Sequence, residues 1–266
     1  MFMKRLILAI AALSVMMSCT NEKKVLVLYY SQTGTTKVVA EEIGAQLGAE
    51  VVPFDVEEAY IGSFEETVAR CLGDQENGFV PTLKPIGVDL KDYDVVFLGY
   101  PIWFGTYAPP VEALIQNEKF AGKTVVPFCT FGSGGLDTSS NDLQAALPEA
   151  VVAEGYGVRT ARVASVPAEI TRFLIAGGYL EGEIEALPDY SDPQPVTDNE
   201  TAIFDEACGN YQFPLGTPVT FGSRETSWGT EYLFNVRNTA PDGQVAESKI
   251  YVVVTDGKAE FTQVIR

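Results

Sequence analysis

The sequence contains no histidine and only four cysteines. A chain without histidine cannot form a Ser-His-Asp triad, a Cys-His pair or a histidine metal site. Three of the cysteines, Cys71, Cys129 and Cys208, are widely spaced and form no CxxC pair, which indicates neither a zinc site nor a disulfide framework. We therefore expect no metal site, and difficult chemistry must come from carboxylates, hydroxyls or a cofactor.

Positive charge is also scarce. The chain carries 18 lysines and arginines against 36 aspartates and glutamates, a net charge of −18. A surface of this sign repels polyanions, so we expect no nucleic acid as a partner and no attraction to anionic lipid faces. The acidic excess is explained first by solubility and second by docking to a basic redox partner.

The N-terminus has the layout of a secretory signal peptide. Lys4 and Arg5 precede an apolar run over residues 6–17 that is too short to span a bilayer, and a polar segment follows. Ser18 before Cys19 resembles the lipobox of bacterial lipoproteins, in which the cysteine is acylated. We therefore expect a signal peptide over 1–18, a lipidated tether over 19–23, and an exported lipoprotein on the periplasmic or cell-surface side. An ordinary cleaved signal peptide and an uncleaved anchor are the alternatives.

From residue 24 the chain alternates between short apolar runs and amphipathic segments. The apolar runs predict five strands, over residues 25–30, 50–54, 94–99, 123–129 and 151–159. The amphipathic segments predict helices over 35–47, 64–72, 110–116, 140–146 and 169–175. This alternation predicts an α/β domain over residues 24–180, with a doubly wound, five-stranded parallel sheet between two layers of helices.

The pattern changes after residue 180. Residues 181–199 hold three prolines and many acids, which is typical of a linker. A short helix is predicted around 201–208, and alternating apolar and polar residues beyond it predict strands joined by Asp-Gly turns. We therefore expect a small α+β domain over residues 200–266, whose sequence indicates no function of its own.

Three loops follow the carboxyl ends of predicted strands one, three and four, which is the edge where open α/β sheets bind ligands. The first loop consists of Ser31, Gln32, Thr33, Gly34, Thr35 and Thr36. Small hydroxyl residues around one glycine let successive N–H groups face inward, and the dipole of the following helix favours an anion there. We therefore predict a phosphate site, although the loop lacks both the P-loop lysine and the GxGxxG fingerprint.

The other two loops suit a flat ring. The second loop contains Pro101, Ile102, Trp103, Phe104 and Gly105, and the third contains Thr130, Phe131, Gly132 and Gly134. The aromatic pair of the second loop can form a wall against a ring face. The glycines of the third loop allow backbone N–H groups to approach the edge of that ring.

The order and spacing of these loops resemble a short-chain flavodoxin over residues 24–180. The first loop resembles the [ST]-x-T-G-x-T phosphate loop of flavodoxins. The second resembles the Tyr-Pro-Ile-Trp-Trp-Gly loop of one flavodoxin-like family, with Phe104 where a second tryptophan is common. The resemblance implies noncovalent FMN, with its phosphate on the first loop, Trp103 stacked on its ring beside Pro101 and Ile102, and the third loop at the ring edge.

The resemblance implies an FMN-binding electron-transfer protein with an unidentified redox protein or small electron acceptor as partner, and the leader with Cys19 places it at an extracytoplasmic membrane surface. One alternative is an FMN-dependent reductase of the NAD(P)H/quinone type, and another is a surface binding lipoprotein whose flavodoxin fold is structural. The absence of a dinucleotide fingerprint and of histidine favours the carrier. The absence of a glycine between Pro101 and Phe104 favours the enzyme, because many electron-carrier flavodoxins use one there to control the flavin. We predict no catalytic residue.

Overall fold

The computed structural model describes residues 23–184, 186–209, 211, 215–239 and 244–265. The predicted signal peptide and the predicted lipidation residue Cys19 lie outside the described residues. Within these ranges, none of the helices is both long and apolar enough to cross a bilayer.

The first part of the chain forms a mostly parallel sheet. Its strands are β1 (Val25–Tyr29), β2 (Glu50–Pro53), β3 (Val95–Trp103), β4 (Thr106–Tyr107), β5 (Thr124–Phe131), β6 (Val151–Val152) and β7 (Tyr156–Arg159). The spatial order is β2-β1-β3-β5-β6; β7 also pairs with β5, and β4 pairs with β3. Every pair is parallel except β3 with β4. This arrangement is the doubly wound sheet that the sequence predicts.

Helices cover both faces of this sheet. They are α1 (Thr35–Leu47), α2 (Phe64–Asn77), α3 (Pro109–Asn117), α4 (Leu136–Ala146) and α5 (Val166–Ala176), with 3-10 helices at Leu90–Asp92 and Thr160–Ser165. Along β1, Leu26 and Leu28 join a core cluster that includes residues of α3 and α4, whereas Val27 joins a second cluster with residues of α1 and α5. Because successive strand residues point to opposite faces, one buried strand contributes to two cores. The prediction of an α/β fold is therefore confirmed.

The predicted fifth strand is divided in the structure. Residues 153–155 separate β6 from β7, and both short strands pair with β5 at different heights. Gly155 lies so close to β5 that an added Cβ would meet the carbonyl oxygen of Pro127 at 2.7 Å. A side chain at this position would therefore collide with the backbone of β5, and glycine is required there.

A smaller antiparallel sheet follows. Its strands are β8 (Gln194–Pro195), β9 (Thr217–Thr226), β10 (Gly229–Thr239), β11 (Val245–Thr255) and β12 (Lys258–Ile265), in the order β12-β11-β10-β9-β8. Helix α6 (Asp198–Cys208) covers one face, where Phe204 lies edge-on to Phe234 at 5.3 Å between ring centroids. The prediction of a second domain with one helix and an antiparallel sheet is confirmed.

Part of the segment that the sequence identifies as a linker belongs to this second domain. It contains β8 and the first residues of α6, which begins with a capping box between Thr197 and Glu200. Further upstream, Tyr190 lies 6.2 Å from the ring of Tyr251 and donates its hydroxyl to Glu231 at 3.0 Å. The upstream chain thus packs on the sheet, because hydrogen bonds and ring contacts compensate for its polar, proline-rich composition.

Candidate functional site

Strands β1, β3 and β5 are parallel neighbours, so the segments that leave their carboxyl ends lie at one edge of the sheet. These segments contain the three loops identified in the sequence. We call this region the loop edge, and three contacts connect its segments to one another.

The first loop leads directly into α1. Gly34 occupies the N-cap position with φ +89°, and no side chain caps the helix there. The Ser31 hydroxyl accepts a hydrogen bond from the Gly34 N–H at 3.1 Å, and the Thr33 and Thr35 hydroxyls lie 3.3 Å apart. A helix N-terminus without a side-chain cap offers its first N–H groups and its positive dipole end to an anion.

The first contact joins the first and third loops through a buried pair of hydroxyls. The Oγ1 atoms of Thr36 and Thr130 lie 2.9 Å apart, and both side chains are buried. A hydroxyl without a partner would be costly at this depth, so the pair fixes the spacing between the two loops. Sequence reasoning placed Thr36 on the phosphate, but its hydroxyl is used in this internal bond.

The second loop is a hairpin rather than a loop that leaves the sheet at Gly99. Strand β3 continues past Gly99 to Trp103, and its last two residues pair with β4. Phe104 and Gly105 form the tip, with φ angles of +52° and +84°. Pairing with β5 extends as far as Pro101 and keeps this proline in the strand despite its turn-forming character. The hairpin is therefore a continuation of the central strand.

Trp103 is half-buried, whereas Phe104 at the tip is 51% exposed. The indole of Trp103 lies edge-on to Tyr30 at 6.1 Å and to Tyr60 at 5.2 Å between ring centroids. Edge-to-face contacts of this kind hold an aromatic ring in one orientation. The second contact of the loop edge is therefore this aromatic wall, which joins β1 to the hairpin through Trp103.

Sequence reasoning missed Tyr60, which lies in the irregular segment between β2 and α2. Its hydroxyl donates to Asp74 at 2.8 Å, and the Arg70 guanidinium lies 4.3 Å from its ring centroid. Gln32 of the first loop donates to the Tyr60 carbonyl at 3.0 Å. Burial and the bond to Asp74 raise the pKa of Tyr60, so it stays neutral. The contacts with Arg70 and Asp74 depend on the following helix, and a local sequence pattern does not show them.

The third loop carries two glycines with positive φ angles, Gly134 at +122° and Gly135 at +116°. A Cβ on Gly135 would lie 2.7 Å from the side chain of Ile102 and 3.1 Å from the carbonyl oxygen of Gly105. Only a residue without a side chain allows this approach, which is the third contact of the loop edge. At Gly132 and Gly134 a Cβ would meet nothing within 4 Å, so this part of the loop faces open space.

A cleft of about 450 Å³ lies beside the first loop. Tyr29, Tyr30 and Gln32 line it from the β1 side, and Asp55 and Tyr60 line it from the segment after β2. Lys37 also lines the cleft; its side chain is exposed and makes a 3.5 Å ion pair with Glu41. The cleft therefore combines aromatic walls with the N-terminus of α1, and its lysine and aspartate are each paired with an opposite charge.

The structure brings most of the predicted site residues to the loop edge. The backbone of the first loop, the hairpin from Pro101 to Gly105 and the third loop from Thr130 to Gly134 adjoin one another there. The side chain of Gln32 is occupied by bonds to Tyr60 and Thr67, so it supports the loop. This combination suits a ligand with an anionic group and a flat ring. Among the residues that the structure describes, no cluster of carboxylates and thiols could hold a metal ion.

Comparison with known proteins gives consistent matches. Residues 24–165 match the family model described as Flavodoxin. A proposed flavoprotein from Bacteroides uniformis ATCC 8492 is 27% identical, with a TM-score of 0.50, over 56% of this chain and 98% of that one. A proposed flavoprotein from Bacteroides eggerthii DSM 20697 is 29% identical, with a TM-score of 0.48 over the same shares. A flavoprotein in complex with FMN from Lactobacillus acidophilus NCFM is 26% identical, with a TM-score of 0.45, over 51% of this chain and 93% of that one.

Proposed function

Since this chain belongs to the flavodoxin family, we propose that its loop edge binds FMN noncovalently and that the protein transfers electrons through this cofactor. The family match confirms the expectation of FMN as cofactor. When bound, FMN supplies the redox chemistry, and the protein binds it, orients it and shields it from water.

The observation that carries this proposal is the uncapped N-terminus of α1 at Gly34. The phosphate of FMN fits here, because N–H groups of the first helical turn have no competing side-chain cap and the Thr33 and Thr35 hydroxyls lie beside them. Lys37 adds one cation at the same helix end. Backbone dipoles can therefore hold most of the charge of a dianionic phosphate, which is necessary in a chain with few basic side chains.

The hairpin and the third loop would hold the ring. Trp103 is fixed by Tyr30 and Tyr60 and offers its aromatic surface as one wall, with the exposed Phe104 at the hairpin tip. In the third loop, the open positions Gly132 and Gly134 leave the backbone accessible to the polar edge of a ring. Trp103 would therefore exclude water from one face of the FMN ring, and the third loop would provide hydrogen-bonding groups.

The binding experiment compares two glycines at opposite ends of α1. Gly34 and Gly48 both have positive φ angles, and a Cβ would meet nothing within 4 Å at either one. Valine at either position therefore imposes backbone strain of about 1–3 kcal/mol. We expect Gly34→Val to abolish FMN binding because the loop can no longer curl around the phosphate, whereas Gly48→Val retains it.

The readouts are the visible spectrum of the purified protein and fluorescence titration with FMN and FAD. The wild-type protein should be yellow, release FMN rather than FAD on heating, and bind FMN again. Colourless wild-type protein that fails to bind added FMN would refute the proposal and favour a surface binding lipoprotein with a structural flavodoxin fold.

We further propose that the protein is an electron carrier rather than an NAD(P)H/quinone-type reductase. Exposed acidic side chains, including Glu57, Glu65 and Asp137, lie on the segments around the loop edge and suit a basic protein partner. We expect negligible NAD(P)H oxidation with quinones, and reduction by a protein donor that slows as salt screens these charges. Rapid NAD(P)H turnover that depends on Trp103 would identify a reductase instead.

The proposed site of action is an extracytoplasmic membrane surface. It is supported by the leader sequence and by Ser18-Cys19, which lie outside the described residues. Cys19→Ala should yield unlipidated protein with a lower mass and weaker partition into detergent than the wild type. Wild-type protein that is soluble and has an unmodified N-terminus would contradict the lipoprotein assignment.

A further inference from the structure

The second domain contacts the flavodoxin domain through two arginines. The Arg159 guanidinium, at the end of β7, lies 4.7 Å from the ring centroid of Phe261 and 5.7 Å from that of Tyr211. Arg172 of α5 lies 5.4 Å from the ring of Trp228. In both cases the flavodoxin domain supplies the cation and the second domain supplies the aromatic surface.

Of these two arginines, Arg159 is adjacent to the loop edge. It pairs with Phe131 across β7 and β5, and the next residue, Thr160, lies 3.5 Å from the Phe131 carbonyl oxygen through its hydroxyl. The Phe131 ring packs over Gly157, where an added Cβ would lie 2.8 Å from it. The first residues of the third loop are therefore held by β7, whose end is held by the second domain.

The same contacts continue to the first loop. In the β5–β7 register Thr130 pairs with Val158, and the Thr130 hydroxyl bonds to Thr36 at 2.9 Å. A continuous series of direct contacts thus runs from Phe261, through Arg159 and the third loop, to the proposed phosphate site.

We infer that the second domain holds the third loop in its binding conformation through Arg159, which is a positioning residue for the flavin site. The inference rests on the proposed function, because it assumes that the third loop contacts the FMN ring. It gives the second domain a role that the family match to residues 24–165 does not cover.

The surroundings of Arg159 strengthen this contact. Burial lowers the pKa of the Arg159 side chain, since desolvation disfavours the charged form, yet an arginine stays protonated at neutral pH. A desolvated cation over two aromatic rings gains more than an exposed one. Removing the rings should therefore weaken the interaction of Arg159 with the second domain more than it would weaken that of a surface arginine.

The test measures hydrogen exchange of the third loop, residues 130–136, in protein from which flavin has been removed. Phe261→Leu keeps an apolar side chain but deletes one ring, and Arg159→Ala deletes the cation. We expect both changes to speed exchange in the loop and to raise the Kd for FMN about threefold to tenfold, the range of one cation–π contact. Arg159→Lys keeps the charge without the planar group, so its exchange rate and its Kd for FMN should lie between those of the wild type and of Arg159→Ala.

Arg172→Ala is the matched control, because it removes the other interdomain cation–π contact but lies on α5. We expect it to leave exchange in residues 130–136 and the Kd for FMN unchanged. Unchanged exchange in both Phe261→Leu and Arg159→Ala would overturn the inference, as would an equal effect of Arg172→Ala. Exchange in β1 should stay at the wild-type rate in every variant, which verifies that the first domain is folded.

The exchange readout does not need bound flavin. If wild-type protein bound no FMN, the proposed function would fail, while the exchange rates would still decide whether Arg159 couples the second domain to the third loop.

Discussion

The two sheets of this protein differ in where their connections meet. In the parallel sheet, the connections that follow β1, β3 and β5 meet at one edge, which carries the glycines, hydroxyls and aromatic residues of the candidate site. In the antiparallel sheet, β9 to β12 are consecutive neighbours, and the connections between them alternate between two ends. The parallel topology therefore assembles a site from distant segments, whereas the antiparallel one leaves its loops apart.

Each sheet also contains a glycine where another group approaches its face. In the parallel sheet, a Cβ on Gly99 would lie 2.1 Å from the ring of Phe128. In the antiparallel sheet, a Cβ on Gly222 would lie 2.5 Å from the carbonyl oxygen of Ser191. The first neighbour is a core side chain of the adjacent strand, and the second belongs to the segment that joins the domains.

Replacing these glycines by alanine should produce unequal losses of stability. Gly99→Ala forces a fully buried phenylalanine to move in a close-packed core, which costs about 1–3 kcal/mol or more. At Gly222 the added Cβ pushes against the backbone of Ser191, which donates its N–H to the Ser223 carbonyl and accepts the Ser223 N–H on its hydroxyl. Gly222→Ala should still cost less than Gly99→Ala, because Ser191 is exposed and water can replace these two bonds if the segment shifts. Chemical denaturation measures both, with Gly73→Ala in α2 as the control, since a Cβ there would meet nothing within 4 Å. Equal losses at Gly99 and Gly222 would mean that the joining segment is as rigid as the core.

A loss of the same order, but without the added displacement of a core ring, is expected from the buried hydroxyl pair. Thr36→Val or Thr130→Val leaves the other buried hydroxyl without its partner, at a cost of about 1–3 kcal/mol. Their double mutant should lose less than the sum of the two, because both hydroxyls are then gone. The matched change Thr220→Val breaks a 2.8 Å bond to Asn235 that is only partly buried, so it should cost less and leave FMN affinity unaltered.

Denaturation and FMN titration of the four variants measure these effects. Additive losses of stability for Thr36→Val and Thr130→Val would contradict the proposed coupling of the two hydroxyls. A change in FMN affinity in Thr220→Val alone would contradict the expectation that this bond of the second domain does not affect the loop edge.

The fold of the first domain was predictable because its signals are local. Buried parallel strands appear as apolar runs, and the alternation with helices restricts the topology. The three loops were predictable for the same reason, since each directly follows a strand. The extent of β3 was not, because Tyr100 and Pro101 stay extended only through pairing with Cys129 and Thr130 of β5.

The aromatic wall could not be predicted from a local sequence pattern either. Tyr60 contacts Trp103 while Arg70 and Asp74 of α2 hold its ring and its hydroxyl. Likewise, Thr36 and Thr130 are far apart in the chain, so a local sequence pattern does not show that their hydroxyls are bonded in the interior. The sequence therefore predicts which loops meet at the loop edge, but not which of their side chains bond to one another.

The protein has two tryptophans, and each domain holds one, Trp103 in the first and Trp228 in the second. The strands of the second domain pair with their immediate successors, whereas β1 must find β3 far along the chain, with Val25 opposite Val95. A sheet in which each strand pairs with the next strand in sequence folds quickly, because little chain entropy is lost before the first contacts form. Stopped-flow refolding of Trp103→Phe and Trp228→Phe, each with one remaining fluorophore, should show the Trp228 signal recovering first. The second domain, although it is synthesised after the first, would then reach its native structure before it.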